Sequence, residues 1–212
     1  MPLYESKKHG ENTQIYVWKI TETFEDLFDQ VLLNDTNLIR LNNMKSELHQ
    51  RGFLSVRMLL QAAGYSDNDL YYDEFGKPHL KDGKHISVTH SFGFSSIIIS
   101  DKNTGIDIEM QREKILLIAD KFIDTEFDFL EKEAEDYIRK LTVIWGVKES
   151  IFKIQNEVGI SFKDHISVFP FELEDKKTSA LLTFADLNKE FEIHFMEIEN
   201  FTLVYAFEKN SK

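Results

Sequence analysis

Three short segments carry side chains whose types and spacing could do chemistry. The first is Gly105-Ile106-Asp107-Ile108-Glu109. On a strand, residues i and i+2 share a face. Asp107 and Glu109 therefore point one way, and Ile106 and Ile108 point the other way into a core. Two carboxylates on one face repel unless a cation lies between them. Hard oxygen donors of this kind suit Mg²⁺, which takes one or two carboxylates and completes its shell with water and substrate phosphates. An ordinary half-buried strand with a solvated acidic face has the same pattern. The second segment is Trp145-Gly146-Val147-Lys148-Glu149-Ser150-Ile151-Phe152-Lys153. On a helix, Trp145, Glu149 and Lys153 fall on one stripe at i, i+4 and i+8. Glu149 is then a candidate third carboxylate, and Lys148 and Lys153 are candidates to meet phosphates. The plain alternative is a buried Trp beside one Glu-Lys pair worth about 0.3–0.5 kcal/mol. The third segment, Ser87-Val88-Thr89-His90-Ser91, follows the turn signal Gly76-Lys77-Pro78. Hydroxyls, an imidazole and a lysine together suit phosphate binding. A Ser/His pair also fits a nucleophile, but the chain has neither a G-x-S-x-G elbow nor a Gly-rich phosphate loop.

The elements that must position these groups follow from periodicity. Gln14 to Ile20 reads as a strand. Thr21 or Thr23 starts a helix running to about Leu33, and Asp35 or Asn37 starts a longer one through Leu38, Leu41, Met44, Leu48, Phe53, Val56, Leu59 and Leu60, closed by Gly64. Ile86 to Thr89, Ser95 to Ser100 and Gly105 to Glu109 read as three strands of a meander. A helical stretch from about Ile115 breaks near Asp124-Thr125, and a strong helix spans about Ala134 to Gln155. The tail reads as four strands, Ile166 to Phe169, Ala180 to Phe184, Phe191 to Ile198 and Phe201 to Phe207, with turns near Asp175 and Asn188. This order gives an α+β arrangement, in which 1–103 and 104–212 form two halves.

Composition narrows the function. The 212 residues are 42% hydrophobic, with 18 Phe, 7 Tyr and 2 Trp, enough for a real core. The absence of cysteine excludes a disulfide framework and a thiolate metal site. The polar start and the short apolar runs imply no secretory signal, no membrane span and a cytoplasmic protein. With 25 Lys+Arg against 37 Asp+Glu, the net charge of -12 argues against a nucleic-acid partner.

Taken in order, G-K-P, [ST]-x-[ST]-H-S, G-I-D-I-E and W-x-x-K-E-S-x-x-K resemble the motif series of the 4'-phosphopantetheinyl transferases. The larger single-chain type, with holo-acyl-carrier-protein synthase activity, is the most similar. The resemblance implies two similar α+β halves forming a pseudo-dimer, each a small antiparallel sheet packed with helices, with coenzyme A bound between them. It implies transfer of the phosphopantetheine arm of coenzyme A to a serine of an acyl or peptidyl carrier protein, with Mg²⁺ and with release of 3',5'-ADP, by a monomer. By the same resemblance Asp107, Glu109 and Glu149 are the Mg²⁺ ligands. Glu149 is also the general base, and Lys153 neutralises the leaving group. Lys148 contacts phosphate, Lys77 binds the nucleotide, and Thr89 and His90 hold the phosphates.

This sequence departs from the family pattern in places. Thr89 stands where the family usually has Ser. Upstream, Arg40, Lys45, Arg51 and Arg57 are available for phosphates, but Arg51 and Arg57 read equally as exposed helix charges. An acidic chain meeting an acidic carrier also needs local positive charge, for which Lys81, Lys84, Arg139, Lys140, Lys148 and Lys153 are the candidates, or else apolar recognition. Two rival readings remain: a Mg²⁺-dependent phosphate-ester hydrolase using the same carboxylates, and a non-catalytic relative that binds coenzyme A or a carrier protein.

Overall fold

The structure, a computed structural model, describes residues 3–209. The chain splits into two compact units, Met1–Lys102 and Asn103–Lys212. The first unit is built on a four-stranded antiparallel sheet. Its strands, in order across the sheet, are β1 (Leu3–His9), β2 (Thr13–Lys19), β6 (Phe94–Ser100) and β5 (His85–Ser91). A small hairpin, β3 (Leu70–Tyr72) with β4 (Pro78–Leu80), joins them. Helices α1 (Phe24–Phe28), α2 (Asp35–Asn42) and α3 (Glu47–Ala62) complete the unit. The buried stripe of α3, Phe53, Leu54, Val56, Leu59 and Leu60, packs in one core with Trp18, Ile20, Ile86, Ile97 and Ile99 of the sheet.

Several expectations for this half need correcting. The long helix expected from Asp35 to Leu60 is two helices. Asn43 caps the end of α2, and Ser46 opens α3 in an extended conformation. Asn43 closes α2 through its backbone N–H, bonded to the Ile39 and Leu41 carbonyls, Ser46 makes no side-chain capping bond, and both are weaker helix formers than the apolar residues around them. The starting cap is Asn34, not Asp35 or Asn37; its side chain accepts from the Asn37 amide. That role needs an extended ψ of 163° at Asn34, and the first helix, capped by Thr23 as expected, stops at Phe28. Strand β1 and the β3/β4 hairpin lack a run of alternating apolar residues and were not expected. Arg57 is buried, not exposed. Its Nε donates to Asp67 Oδ1 at 3.0 Å, and its guanidinium lies 3.5 Å from the centre of the Phe53 ring.

The second unit holds a five-stranded antiparallel sheet in the order β7 (Thr104–Met110), β11 (Phe201–Glu208), β10 (Leu187–Ile198), β9 (Lys177–Phe184) and β8 (Ile166–Val168). The expected meander of three strands therefore divides: β5 and β6 pair in the first sheet, whereas β7 pairs with β11, Asp107 opposite Val204. Periodicity marks a strand but not its partner. Helix α4 (Tyr137–Gln155) crosses this sheet and buries Leu141, Ile144, Val147, Ile151 and Ile154 against Phe191, Ile193, Phe195 and Ala206. Three 3-10 turns, Glu113–Leu117, Ala119–Lys121 and Thr125–Phe129, replace the helical stretch expected before the break, and a short α5 (Phe162–His165) follows α4. The β9/β10 turn lies at Ala185 and Asp186, not at Asn188, which pairs with Thr183. No helix among the described residues is long and apolar enough to cross a membrane.

Two glycines set how closely α4 approaches the sheet. A Cβ at Gly105 of β7 would lie 2.0 Å from the Ser150 carbonyl oxygen of α4, and one at Gly146 of α4 would lie 2.6 Å from a Val204 methyl of β11. Backbone and a packed valine cannot yield as a flexible side chain can. Gly105→Ala should therefore cost about 3 kcal/mol or more and lower the melting temperature by about 10 °C. Gly93→Ala, where a Cβ meets nothing within 4 Å, is the control in the same calorimetric scan. Equal melting of the two variants would show that α4 can move away from β7.

Candidate active site

On β7 the residues at i, i+2 and i+4, Gly105, Asp107 and Glu109, share one face. Gly105 abuts α4, and Asp107 points the same way: its Oδ2 lies 3.8 Å from the position of a Cβ on Gly146. Ile106 and Ile108, on the other face, are fully buried. On α4, Gly146, Glu149, Ser150 and Lys153 recur at intervals of three and four, one helical face. Close packing of this face on β7 brings the charged groups together. The Lys153 Nζ donates to Asp107 Oδ1 at 2.8 Å and to the Ile106 carbonyl at 2.8 Å. Ser150 Oγ donates to the Val204 carbonyl, fixing the helix turn between them.

The electrostatics carry the mark of this crowding. Burial pushes the Glu149 carboxyl up to about 7, and the charge of Asp107 pushes the same way, as Glu109 does more weakly; Lys153 opposes them by favouring the ionised form. Three carboxylates thus share one region with one ammonium among them. In kind and charge this donor set fits Mg²⁺, all hard oxygens with an excess of negative charge. Among the described residues, however, no three His, Asp or Glu side chains are gathered closely enough to hold a metal ion, and the cation beside Asp107 is Lys153.

Lys148 lies elsewhere. It is fully buried, with Nζ 2.7 Å from Glu126 Oε1 and donating to the Phe162 carbonyl. Burial pushes its ammonium below the usual lysine range, against the pull of Glu126. Glu126 also accepts from the Val168 and Asp124 amides, so the pair ties the 3-10 segment to α4 and β8. Adjacent residues on a helix point about 100° apart, which separates Lys148 from Glu149. No exposed atom of Lys148 remains for the expected phosphate. Trp145 is structural too, packed edge-on to Phe122 and tilted against Phe162.

The expected positive patch is largely neutralised. In this unit Arg139 pairs with Glu197, Lys140 with Asp136 and Glu172, Lys148 with Glu126, and Lys153 with Asp107. What sequence reasoning missed is a groove of about 150 Å³ beside Glu109, with Met110, Ile115, Ile118 and Trp145 in its lining and Arg112 and Lys114 as its basic residues. The only signal in the sequence was Arg112 and Lys114 followed directly by the apolar run Ile115 to Ile118.

Lys77, Thr89 and His90 belong to the first unit. Lys77 follows the tight turn at Gly76, and its amide donates to Asp73 Oδ1 at 2.9 Å. Thr89 and His90 occupy opposite faces of β5. Thr89 is buried together with Ser87 and Ser91, while His90 is exposed and lies against α3.

With this geometry in place, similarity to known proteins becomes specific. Residues 103–206 match the 4'-phosphopantetheinyl transferase superfamily. These residues are a domain of that superfamily. The 4'-phosphopantetheinyl transferase gsp of Aneurinibacillus migulanus is 29% identical to the chain over 107 residues, which is 48% of this chain and 45% of the relative. The chain thus spans under half the length of that curated relative. The superfamily domain contains Asp107, Glu109, Lys148, Glu149 and Lys153; Lys77, Thr89 and His90 fall outside the matched residues.

A carboxyl whose pKa is about 7 when folded, against 4.5 when free in water, subtracts from stability once ionised. The penalty is absent below the unfolded value, grows as pH rises from 4.5 to 7, and is complete above 7. Glu149→Gln should therefore raise the melting temperature of the metal-free protein at pH 8 by a few degrees, on the order of 1–2 kcal/mol. The gain should shrink toward zero near pH 4.5. A gain independent of pH would mean that charge crowding is not its source.

Proposed function

We propose that the chain transfers the 4'-phosphopantetheine arm of coenzyme A to a serine hydroxyl of an acyl or peptidyl carrier protein, with Mg²⁺, releasing 3',5'-ADP. The observation that carries this reading is the convergence of Asp107, Glu109, Glu149 and Lys153 on the facing surfaces of β7 and α4. The superfamily match over the same residues and the activity for which the Aneurinibacillus relative is named support it. Cysteine-free composition and a lack of membrane-length helices among the described residues agree with a cytoplasmic enzyme.

The chemistry is one displacement at phosphorus. The serine oxygen forms a bond to the β-phosphorus of coenzyme A, and the bond from that phosphorus to the oxygen bridging to the nucleotide phosphate breaks. The serine proton passes to Glu149, directly or through a water. The nucleotide leaves with the electron pair. Lys153, already held at the end of β7 by the Ile106 carbonyl, is placed to neutralise the charge that develops there. Asp107, Glu109 and Glu149 would hold Mg²⁺, which when bound supplies charge neutralisation on the pyrophosphate. That requires Lys153 to release Asp107, so its ammonium becomes available as the carboxylates find another cation. The groove beside Glu109 offers apolar walls and two basic side chains next to the carboxylates, in keeping with an apolar arm or an acidic carrier as the neighbouring group. His90 and Lys77 are read as contacts to the phosphates and nucleotide of coenzyme A.

Intact-mass analysis of several purified apo carrier proteins, incubated with the chain, coenzyme A and Mg²⁺, tests this directly. The expected result is a gain on a carrier serine equal to one phosphopantetheine arm, lost with EDTA and lost with Asp107→Ala. Full transfer by Asp107→Ala would remove Asp107 from the metal site. Coenzyme A binding without transfer to any carrier would favour a non-catalytic relative, and turnover of a phosphate ester with no carrier present would favour a hydrolase. Lys153→Ala should lower kcat on the order of a hundredfold or more while changing the KM for coenzyme A little, because its interaction strengthens only as the leaving group forms. Equal losses in both would make Lys153 a binding residue.

A further inference from the structure

The loop that joins β3 to β4, residues 73–77, has little packing to hold it. Glu74, Phe75 and Gly76 are exposed, Phe75 at the tip by 66%. Asp73 supplies the hold instead. Its Oδ1 accepts from the Phe75 amide at 3.0 Å and from the Lys77 amide at 2.9 Å, the side-chain-to-backbone turn that Asp favours. Its own amide donates to the Lys77 carbonyl at 3.0 Å, and its carbonyl accepts from the Gly76 amide at 3.0 Å. Asp73 thus meets Phe75 and Gly76 at one group each and Lys77 at two, the amide and the carbonyl. The other carboxylate oxygen, Oδ2, lies 3.0 Å from His79 Nε2, and the His79 ring stacks on Tyr71, its partner across the hairpin. The carboxylate is therefore tied to the strands on one side while it grips the loop on the other. The His79 contact first, and the Lys77 amide next, hold Asp73 below the usual carboxylate range, so it is an ionised acceptor at neutral pH.

We propose that Asp73 is the positioning residue for Lys77: by binding the lysine's amide and carbonyl it fixes the backbone from which that side chain reaches the nucleotide of coenzyme A. This rests on the reading of Lys77 as a contact to the nucleotide part. The hold is on the backbone of Lys77, so it acts on the direction in which the side chain leaves the loop, whatever the ammonium meets. A loop released from Asp73 spreads over several conformations, and only the fraction with the lysine in place binds, so the affinity falls by that fraction. Asp73→Ala removes the carboxylate and with it the bonds to the Phe75 and Lys77 amides. Asp73→Asn keeps an Oδ1 that can accept from both. The expected signature is a loss of affinity that the conservative variant restores and that vanishes once the lysine side chain is gone.

The test is a cycle of Asp73→Ala, Lys77→Ala and the double variant, with Asp73→Asn beside it, in the full chain. It is read by calorimetric titration with 3',5'-ADP, the nucleotide part of coenzyme A, and by amide hydrogen exchange without ligand. Lys77→Ala should weaken binding about tenfold, the loss of one charge-assisted hydrogen bond. Asp73→Ala should weaken it about three- to fivefold, and the Lys77 amide should lose protection against exchange by at least that factor. Asp73→Asn should stay within about twofold of the wild type in both measurements, because the amides keep their acceptor. Adding Asp73→Ala to Lys77→Ala should change affinity by less than about twofold, because no side chain remains to aim. Wild-type affinity in Asp73→Ala, or its full loss repeated in the Lys77→Ala background, would overturn the proposal. If Lys77→Ala binds 3',5'-ADP like the wild type, the nucleotide reading of Lys77 fails and the proposal falls with it. Hydrogen exchange, which needs no ligand, tells that failure from a loop that Asp73 never held: only in the second case does the Lys77 amide keep its protection in Asp73→Ala.

Discussion

The candidate site depends on one contact, the approach of α4 to β7 until the Ser150 carbonyl occupies the space in which any side chain at 105 would stand. A helix normally rides on a sheet with a layer of side chains between them. Here Gly105 and Gly146 remove that layer at two neighbouring points, so Asp107 faces α4 with only 5% exposure. A carboxylate so enclosed needs a cation, and Lys153, seven residues beyond Gly146 and hence two turns along the same face, provides one. Glu149 lies between them and cannot also be neutralised by a single ammonium, so its carboxyl retains its proton more tightly. The excess negative charge is therefore a consequence of packing, and it makes a divalent cation the natural complement.

Lys148 and Lys153 show how one helix assigns the same side chain to opposite tasks. Five residues put them about 140° apart. Lys148 enters the core of its unit and meets Glu126 in a buried pair, where each charge is tolerable only because the other is present and the Phe162 carbonyl and two amides complete the network. Lys153 lies at the edge, with 26% of its side chain exposed, and can exchange partners at small cost. The first lysine ties the 3-10 turn Thr125–Phe129 to α4 and β8. Only the second can change partners without breaking a fully buried pair.

Much of this was legible in the sequence. Alternation placed Asp107 and Glu109 on one face, and the spacing of Glu149 and Lys153 placed them on one stripe, because strand and helix periods are geometric constants. The tail strands and α4 were found to within a few residues for the same reason. What could not be read was pairing and depth. Nothing local says that β7 leaves β6 for β11, a partner about a hundred positions on, since ladders form between surfaces and not between neighbours. Arg57 and Lys148 looked like surface charges because their partners, Asp67 and Glu126, lie 10 and 22 residues away on other elements. The gap between α2 and α3 was hidden by an apolar spacing that continued across it, while the backbone leaves the helix between Asn43 and Ser46.

The interior glycines of this chain divide by what they admit. At 105 and 146 the neighbour is a carbonyl oxygen of a helix backbone or a valine locked into a sheet, neither of which can retreat without moving an element. At 52 the nearest neighbour is the ring of the exposed His90, with Nδ1 3.0 Å from the position of a Cβ. The same deletion of a methyl group therefore has two physical meanings. Where the neighbour is rigid, glycine determines whether helix and strand can meet, and its loss must register in the stability of the whole unit. Where the neighbour is a single side chain, a shift of a few tenths of an ångström is enough to admit the methyl, and the better helix propensity of alanine weighs on the other side. The steric environment of each glycine thus separates positions where a whole element must move from a position where one side chain must, a distinction that composition and spacing alone do not contain.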